Sequence, residues 1–590
     1  MINTQITENL STLARTVQKR NATGRGSSKK IDLYGIKKLR ELILELAVRG
    51  KLVPQNTDDE PASVLLERIA EERGRLVKEK KIKKPKKLLE IGEDEKPFEL
   101  PEGWQWERLG NFVSIIRGIT FPASEKSHEP SNGRIACLRT ANIQEQIDWN
   151  DLIFVDKKFV KRSEQYLEVG DIVMSMANSK ELVGKVSFTL QIPTTTASFG
   201  GFLSVIRPYQ ISANYLMTIL RTPHVRKTLI GSASQTTNIA NISLEKLNPL
   251  LIAVPPLAEQ HRIVAKVDEL MTLCDQIEQQ TEANLSAHAT LVENLLSTLT
   301  NSANAEELEQ NWQRIAEHFT TLFTTEESID QLKQTILQLA VMGKLVPQDP
   351  NDEPASQLLE RIAAEKAQLI KEKKIKKQKA LPPITEDEKP FELPEGWEAE
   401  RIGTFSIVGT GATPSRSQPQ YWEPKEINWV TSGETAELFV RDTKEKVSKL
   451  AIKETNVTIY PVGTLIVAMY GQGKTRGQIT ELLTEAGTNQ ACAAIRLFDS
   501  SEQHKNYVKL FFRKAYEELR SNAAGGAQPN LNVGKVANTI IPIPPLAEQQ
   551  RIVEKVNQLM RLCDQIKVHL QQQQQTRIHL TDAMVATALA

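Results

Sequence analysis

Apolar positions in the stretch HRIVAKVDELMTLCDQI step by 4, 3, 4 and 3 through Ile263, Val267, Leu270, Cys274 and Ile277. That spacing predicts a helix with one apolar seam of the coiled-coil kind. The same steps return in Ile552, Val556, Leu559, Cys563 and Ile566, so two such helices are expected. Each can continue some 40 residues, to about Thr298 and about Ala588, or roughly 60 Å at 1.5 Å per residue. Thr281, Asn284 and His288 weaken the middle of the first seam, where a bend or register shift is an open alternative. LRELILELAVRGKL (39–52) and LKQTILQLAVMGKL (332–345) read as shorter amphipathic helices, each ending at a glycine. Between these helices lie β-rich runs, DIVMSMA, GFLSVIRP, TLIVAMY and ACAAIRLF. They alternate with helical pieces such as YLMTILRT, which predicts an α+β domain in each gap.

The pattern repeats because the chain does. Residues 41–104 match 334–397 without a gap at 46 of 64 positions, and 255–277 match 544–566 at 18 of 23. Residues 105–240 and 398–529 differ in sequence but have nearly equal lengths, 136 and 132. Neutral drift should have blurred the frames as much as the inserts, and it has not. One architecture used twice for two targets is the better reading. The expected order is an N-terminal helical frame with a basic linker (1–104), a first insert domain (105–254), a central long-helix frame (255–397), a second insert domain (398–543) and a C-terminal long helix (544–590).

A chain of 590 residues is several domains long. Its 74 Lys+Arg against 73 Asp+Glu leave a net charge of +1, so any basic surface must be local. Four distant cysteines, Cys137, Cys274, Cys492 and Cys563, form no CxxC pair. That argues against a disulfide scaffold or a zinc finger and suits a reducing, cytoplasmic setting. No apolar run approaches a membrane span, and MINTQITENL has no hydrophobic signal core.

AMYGQGKT (468–475) fits the looser phosphate-loop pattern after a strand-like run. TRGQIT follows it rather than a helix start, so a basic hairpin loop is preferred to a nucleotide site. The runs KEKKIKKPKK (78–87) and KEKKIKKQK (371–379) are either solvated charge or contacts to nucleic acid or an acidic partner. EDEK (93–96 and 386–389) lies in a Pro-flanked linker without a strand carboxylate upstream, and reads as solvated charge. No [ND]PP[YF], GxSxG, HExxH or GxGxxG motif occurs, so no complete catalytic site and no metal site is expected.

The inserts carry residue types that read bases. Residues 105–250 hold 16 Lys+Arg against 12 Asp+Glu (net +4), and 398–539 hold 17 against 15 (net +2). Asn and Gln suit adenine and Arg suits guanine in a major groove. Polar loops such as SASQTTNIAN, GATPSRSQPQYW and GGAQPNLN offer such groups. The DNA-binding candidates in the first insert are Arg117, Thr120, Arg139, Asn142, Lys180, Ser234, Gln235, Thr236 and Asn238. In the second they are Thr413, Ser415, Arg416, Tyr421, Thr431, Tyr470, Gln472, Lys474, Arg476, Gln528 and Asn530.

The duplicated frame, the two divergent inserts, the PPLAEQ-R-IV-KV segments and GATPSRSQPQYW followed by INWV resemble the specificity subunit of type I restriction–modification systems. The long EPAS…PFELPEGW frames look most like the type IB branch. The first insert lacks the GxTPSR…YW signature of the second. The resemblance implies two target recognition domains held apart by long antiparallel coiled-coil helices, in a pseudo-two-fold duplication. It implies a bipartite double-stranded DNA target and a subunit with no catalysis of its own. Two modification (methyltransferase) subunits and two restriction (translocase and nuclease) subunits would dock on it. S-adenosylmethionine, ATP and Mg2+ would be used by those partners, with no cofactor on this chain. The competing readings are a nucleotide-dependent enzyme built on 468–475 and a coiled-coil adaptor that binds proteins alone.

Overall fold

The computed structural model describes residues 12–19, 31–80, 82, 84, 86–179, 182–232, 234–235, 240–470, 475–521 and 531–589. The chain forms two compact units, Met1–Asn284 with Gln573–Ala590, and Leu285–Gln572. The two seam helices run uninterrupted over Leu257–Asn301 and Leu546–Leu589, so the weak middle of the first seam does not break it. Each long helix begins in one unit and ends in the other.

Within each unit the seam is met by the shorter amphipathic helix of its own frame. In the first unit this is Tyr34–Val48, which buries Ile36, Leu39, Ile43 and Leu46. Ile263, Val267, Leu270 and Cys274 are buried too, and Arg40 reaches Asp275 and Glu278, both at 2.5 Å. In the second unit the frame helix is Glu326–Val341. Its Ile329, Leu332 and Ile336 share a core with Ile552, Val556, Met560 and Cys563, and with Val292, Leu296 and Leu299 from the end of the first long helix. The packing therefore involves three helices rather than the two-helix seam expected. A third apolar neighbour widens the buried stripe, and Met560 is more deeply buried than Leu559. Burial pushes the Cys274 thiol up to about 11 and raises that of Cys563, so both act as small apolar groups.

Each insert starts and ends on one short antiparallel ladder. Gln105–Arg108 pairs with Leu251–Val254, and Glu398–Arg401 with Ile540–Ile543. Side chains from the repeated frame lock this ladder. The Trp104 indole N–H donates to Glu259 at 2.9 Å and the Trp397 indole to Glu548 at 3.0 Å. Arg262 pairs with Asp59 and Arg551 with Asp352, each at 2.5 Å. Arg108 donates to the carbonyls of Leu89, Glu90 and Pro249 and to Glu95, and Arg401 to those of Pro382 and Asn538 and to Glu388. The last carboxylate of each EDE triplet, Glu95 or Glu388, is thus an anchor for a buried arginine, where the sequence suggests only solvated charge.

Beyond the Glu90 carbonyl bonded by Arg108, the two clamps differ at the glutamate. The Gln55 amide donates to the second oxygen of Glu259 at 2.8 Å, whereas the buried Oε1 of Glu548 has no hydrogen-bond partner. Burial lifts the Glu548 carboxyl from 4.5 to about 6, against the opposing pull of Trp397. A raised carboxyl favours folding fully below its unfolded value and loses that contribution as pH rises through the folded one. Glu548→Gln keeps an acceptor for the indole and removes the charge. It should stabilise the second unit by about 1–2 kcal/mol at pH 7 and flatten its stability between pH 4.5 and 6. Burial raises the Glu259 carboxyl too, but Trp104 and Gln55 both donate to it, so Glu259→Gln should gain less. Equal gains from the two variants in denaturant melts would defeat this account.

Both inserts share a four-strand antiparallel core and a three-strand mixed sheet, and the second adds Phe439–Val440 parallel to Ile479–Leu482. In the first, Val113–Arg117, Leu203–Pro208, Ile172–Ser175 and Val186–Phe188 form an antiparallel sheet. A second sheet sets Arg134–Leu138 parallel to Ala197–Phe199 and antiparallel to Ile153–Asp156. The other insert repeats this with Ser406–Thr410, Cys492–Leu497, Leu465–Ala468 and Ile479–Leu482. There Ile427–Val430 lies parallel to Ala486–Thr488 and antiparallel to Glu445–Val447.

Candidate nucleic-acid interface

In each insert the strand ends converge on one edge through equivalent backbone bonds. Gly200 N–H donates to the Leu138 carbonyl and Met176 N–H to that of Phe202, each at 2.9 Å. In the second insert Asn489 N–H donates to Val430 at 3.1 Å and Met469 N–H to Ala491 at 2.7 Å. The register pairs Ser204 with Arg117 and Ala493 with Thr410. Arg117 thus corresponds to Thr410, Thr120 to Thr413, Arg139 to Thr431 and Phe202 to Ala491. Gly118 and Gly411 sit at the crossing, where a Cβ would overlap the carbonyl of Gly200 or of Thr488.

The first edge gathers exposed Arg117 and Thr120 with half-buried Arg139. The Arg139 guanidinium is held by the Asp151 carboxylate at 2.6 Å. The short strands Ala177–Asn178, Ala240–Asn241 and Ser234–Gln235 join the same edge, because Met176 also accepts from Ile242 N–H. Asn142 is a different case. It is 1 % exposed, its Oδ1 accepts from Arg139 N–H, and its amide donates to the carbonyls of Asp148 and Asp151. It shapes the loop and has no group left for a base. Glu434 does the same work in the second insert, accepting from Thr431 N–H and from its hydroxyl. Lys180, Thr236 and Asn238 lie outside the described residues, as do the side chains of Ser234 and Gln235.

On the second edge the Thr413 hydroxyl donates to Gln490, Thr431 is tied to Glu434, and Tyr470 is 37 % exposed beside Ala491. Arg476 follows the hairpin turn and is half-buried. Arg416 stands on a tryptophan corner, 3.9 Å from the Trp422 ring centre and 5.7 Å from that of Trp429. Both its terminal nitrogens are engaged by Glu445, at 2.6 and 2.8 Å. The Ser415 carbonyl accepts from the Trp422 indole, and the Tyr421 hydroxyl meets Glu454 at 3.3 Å. The GATPSRSQPQYW segment is therefore first a packed corner, and Arg416 could turn to DNA only by leaving Glu445. Gln472, Lys474, Gln528 and Asn530 lie outside the described residues.

The phosphate-loop motif lies between two paired strands. Leu465–Ala468 pairs antiparallel with Ile479–Leu482, so a strand follows the loop instead of the helix whose N-terminus would face a phosphate. Among the described residues no group of His, Cys, Asp or Glu could hold a metal ion, and no helix is long and apolar enough to cross a membrane. Sequence reasoning missed Phe202, which stands 71 % exposed on the first edge. Its signal was the FGGF turn, an aromatic next to two glycines where the strands meet.

Residues 101–287 and 394–574 match the family described as the type I restriction modification DNA specificity domain. The chain is 41 % identical to the type I restriction enzyme EcoEI specificity subunit of Escherichia coli, over 99 % of both chains. It is also 41 % identical to the EcoAI specificity subunit of the same species, again over 99 % of both. The solved HsdS subunit from Thermoanaerobacter tengcongensis is similar at 17 % identity and a TM-score of 0.39, covering 84 % of this chain and 98 % of its own. With the domain matched twice, once on each insert with its flanking frame, the chain belongs to the family of type I restriction–modification specificity subunits.

Proposed function

We propose that this chain reads a bipartite double-stranded DNA target, one half-site per insert, and supplies recognition rather than catalysis. The observation that carries this is the pairing of one topology with two chemistries. The clamps at 104–108 and 397–401 share their indole–carboxylate and arginine bonds, while the edges they present carry Arg117, Arg139 and Phe202 on one insert and Thr410, Thr431 and Ala491 on the other. An edge that had only to fold has no reason to differ where the clamp does not. We further propose that two modification and two restriction subunits dock on the repeated frames. S-adenosylmethionine, ATP and Mg2+ serve those partners, and the complex acts in the cytoplasm.

Replacing 105–254 with the corresponding insert of a relative should change one half-site of the methylated sequence and keep the other. The exchange is physically reasonable because both insert ends meet on one ladder, Gln105–Arg108 with Leu251–Val254. Methylome mapping of cells carrying the exchanged chain and its partner subunits checks this. A change in both half-sites would sink the assignment of one insert to one half-site.

A further inference from the structure

Phe202 is the feature of the first edge that folding does not explain. It stands 71 % exposed between Gly201 and the strand Leu203–Pro208. Its backbone is fixed from both sides, since its carbonyl accepts from Met176 N–H and Leu203 N–H donates to the Gly200 carbonyl at 2.8 Å. A Cβ on Gly201 would come within 3.1 Å of the Thr120 methyl, which places the turn directly over a candidate reader. In the second insert the same backbone bond is made by Ala491, with Met469 N–H at 2.7 Å. The fold therefore tolerates a methyl group where the first insert presents a benzyl group to solvent.

We propose that Phe202 is a specificity-determining residue that reads a thymine in the first half-site through that base's 5-methyl group. This rests on the first insert being a DNA reader, and it names one base contact of that reader. An aromatic ring cannot satisfy the donors and acceptors of a base edge. The apolar group that a base pair offers in the major groove is the thymine methyl. Exposed Arg117 and Thr120 on the same edge provide the polar readers for neighbouring positions. The second edge, with Ala491 in place of the ring, reads its half-site without this contact.

The test uses the complex of this chain with its modification subunits and the duplex identified by methylome mapping. Each thymine is replaced in turn by deoxyuridine, which removes only the methyl. At one position of the first half-site, deoxyuridine should weaken binding about fourfold, the worth of one buried methyl. Phe202→Ala should weaken binding to the thymine duplex at least as much and abolish the response at that position, while Phe202→Leu keeps part of it. Responses in the second half-site should be the same for all three proteins. A Phe202→Ala loss that is equal for thymine and deoxyuridine duplexes at every position would overturn the methyl contact in favour of a wedge between bases. Unchanged DNA binding with loss of the modification subunits on purification would overturn it in favour of a protein contact. If the unaltered complex bound the thymine duplex and every deoxyuridine duplex alike, the methyl contact would fail, whereas equal binding to a duplex of scrambled sequence would overturn the DNA-reading assignment itself.

Discussion

Arg108→Met should destabilise the first unit by about 3 kcal/mol, and Arg401→Met the second by a similar amount. The Arg108 side chain is 5 % exposed and that of Arg401 7 %. Methionine fills the volume but donates nothing. The Leu89, Glu90 and Pro249 carbonyls lose their donor in the first unit, and the Pro382 and Asn538 carbonyls in the second. The guanidinium groups are buried, whereas Leu89, Glu90, Pro382 and Asn538 are exposed and Pro249 half-buried, so the freed carbonyls can turn to water and the cost is the net worth of several charge-assisted bonds. Glu95 and Glu388 are themselves half in water, so Glu95→Gln, which keeps an acceptor for the guanidinium, should cost little. Hydrogen exchange separates the units. Arg108→Met should speed exchange in 105–108 and 251–254 and leave 398–401 and 540–543 protected. Equal acceleration in both ladders, or no acceleration, would show that the arginine is not the clamp.

A chain ending at Gln572 should lose about 2–4 kcal/mol of stability in the first unit and almost none in the second. The last turns of the second long helix belong to the first unit. There the Thr581 hydroxyl donates to that of Thr16 at 3.2 Å in a buried setting, and Tyr34 donates to Asp582 at 2.7 Å. Arg49 and Lys51 reach the Leu589 carbonyl. Removing 573–590 uncovers part of the Tyr34–Val48 helix and leaves these donors to water. Burial, together with the bond to Asp582, lifts the Tyr34 phenol to about 12. In the shortened chain its titration should move back toward 10, which reports the lost contact independently of stability. Selective loss in the second unit would contradict the assignment of these residues.

Much of the candidate site was legible in the sequence. The inserts and their nearly equal lengths were visible as sequence set between repeated frames, and the candidates Arg117, Thr120 and Arg139 fall on one edge of the first insert. Asn142 was not, because a polar side chain in a loop looks the same whether it faces a base or caps its own backbone. Arg416 was visible as a cation in a polar loop, but Glu445 lies 29 residues further on, and nothing local announces their pairing. Phe202 escaped because an aromatic in a β-rich run ordinarily signals core.

By itself the sequence determined the features that depend on near neighbours. These are the internal duplication, the two long helices with their seams, the shorter frame helices and the strand after the 468–475 loop. Helical and strand periods are set by residues a few positions apart, so they survive without knowledge of what lies opposite. Only the tertiary structure decided what covers each seam, which carboxylate anchors Arg108 and Arg401, and that 573–590 complete the unit containing Tyr34. The physical reason is that an apolar stripe specifies burial but not its partner. Partners separated by hundreds of residues are selected by complementary shape and by matched donors and acceptors, which exist only once both surfaces have formed.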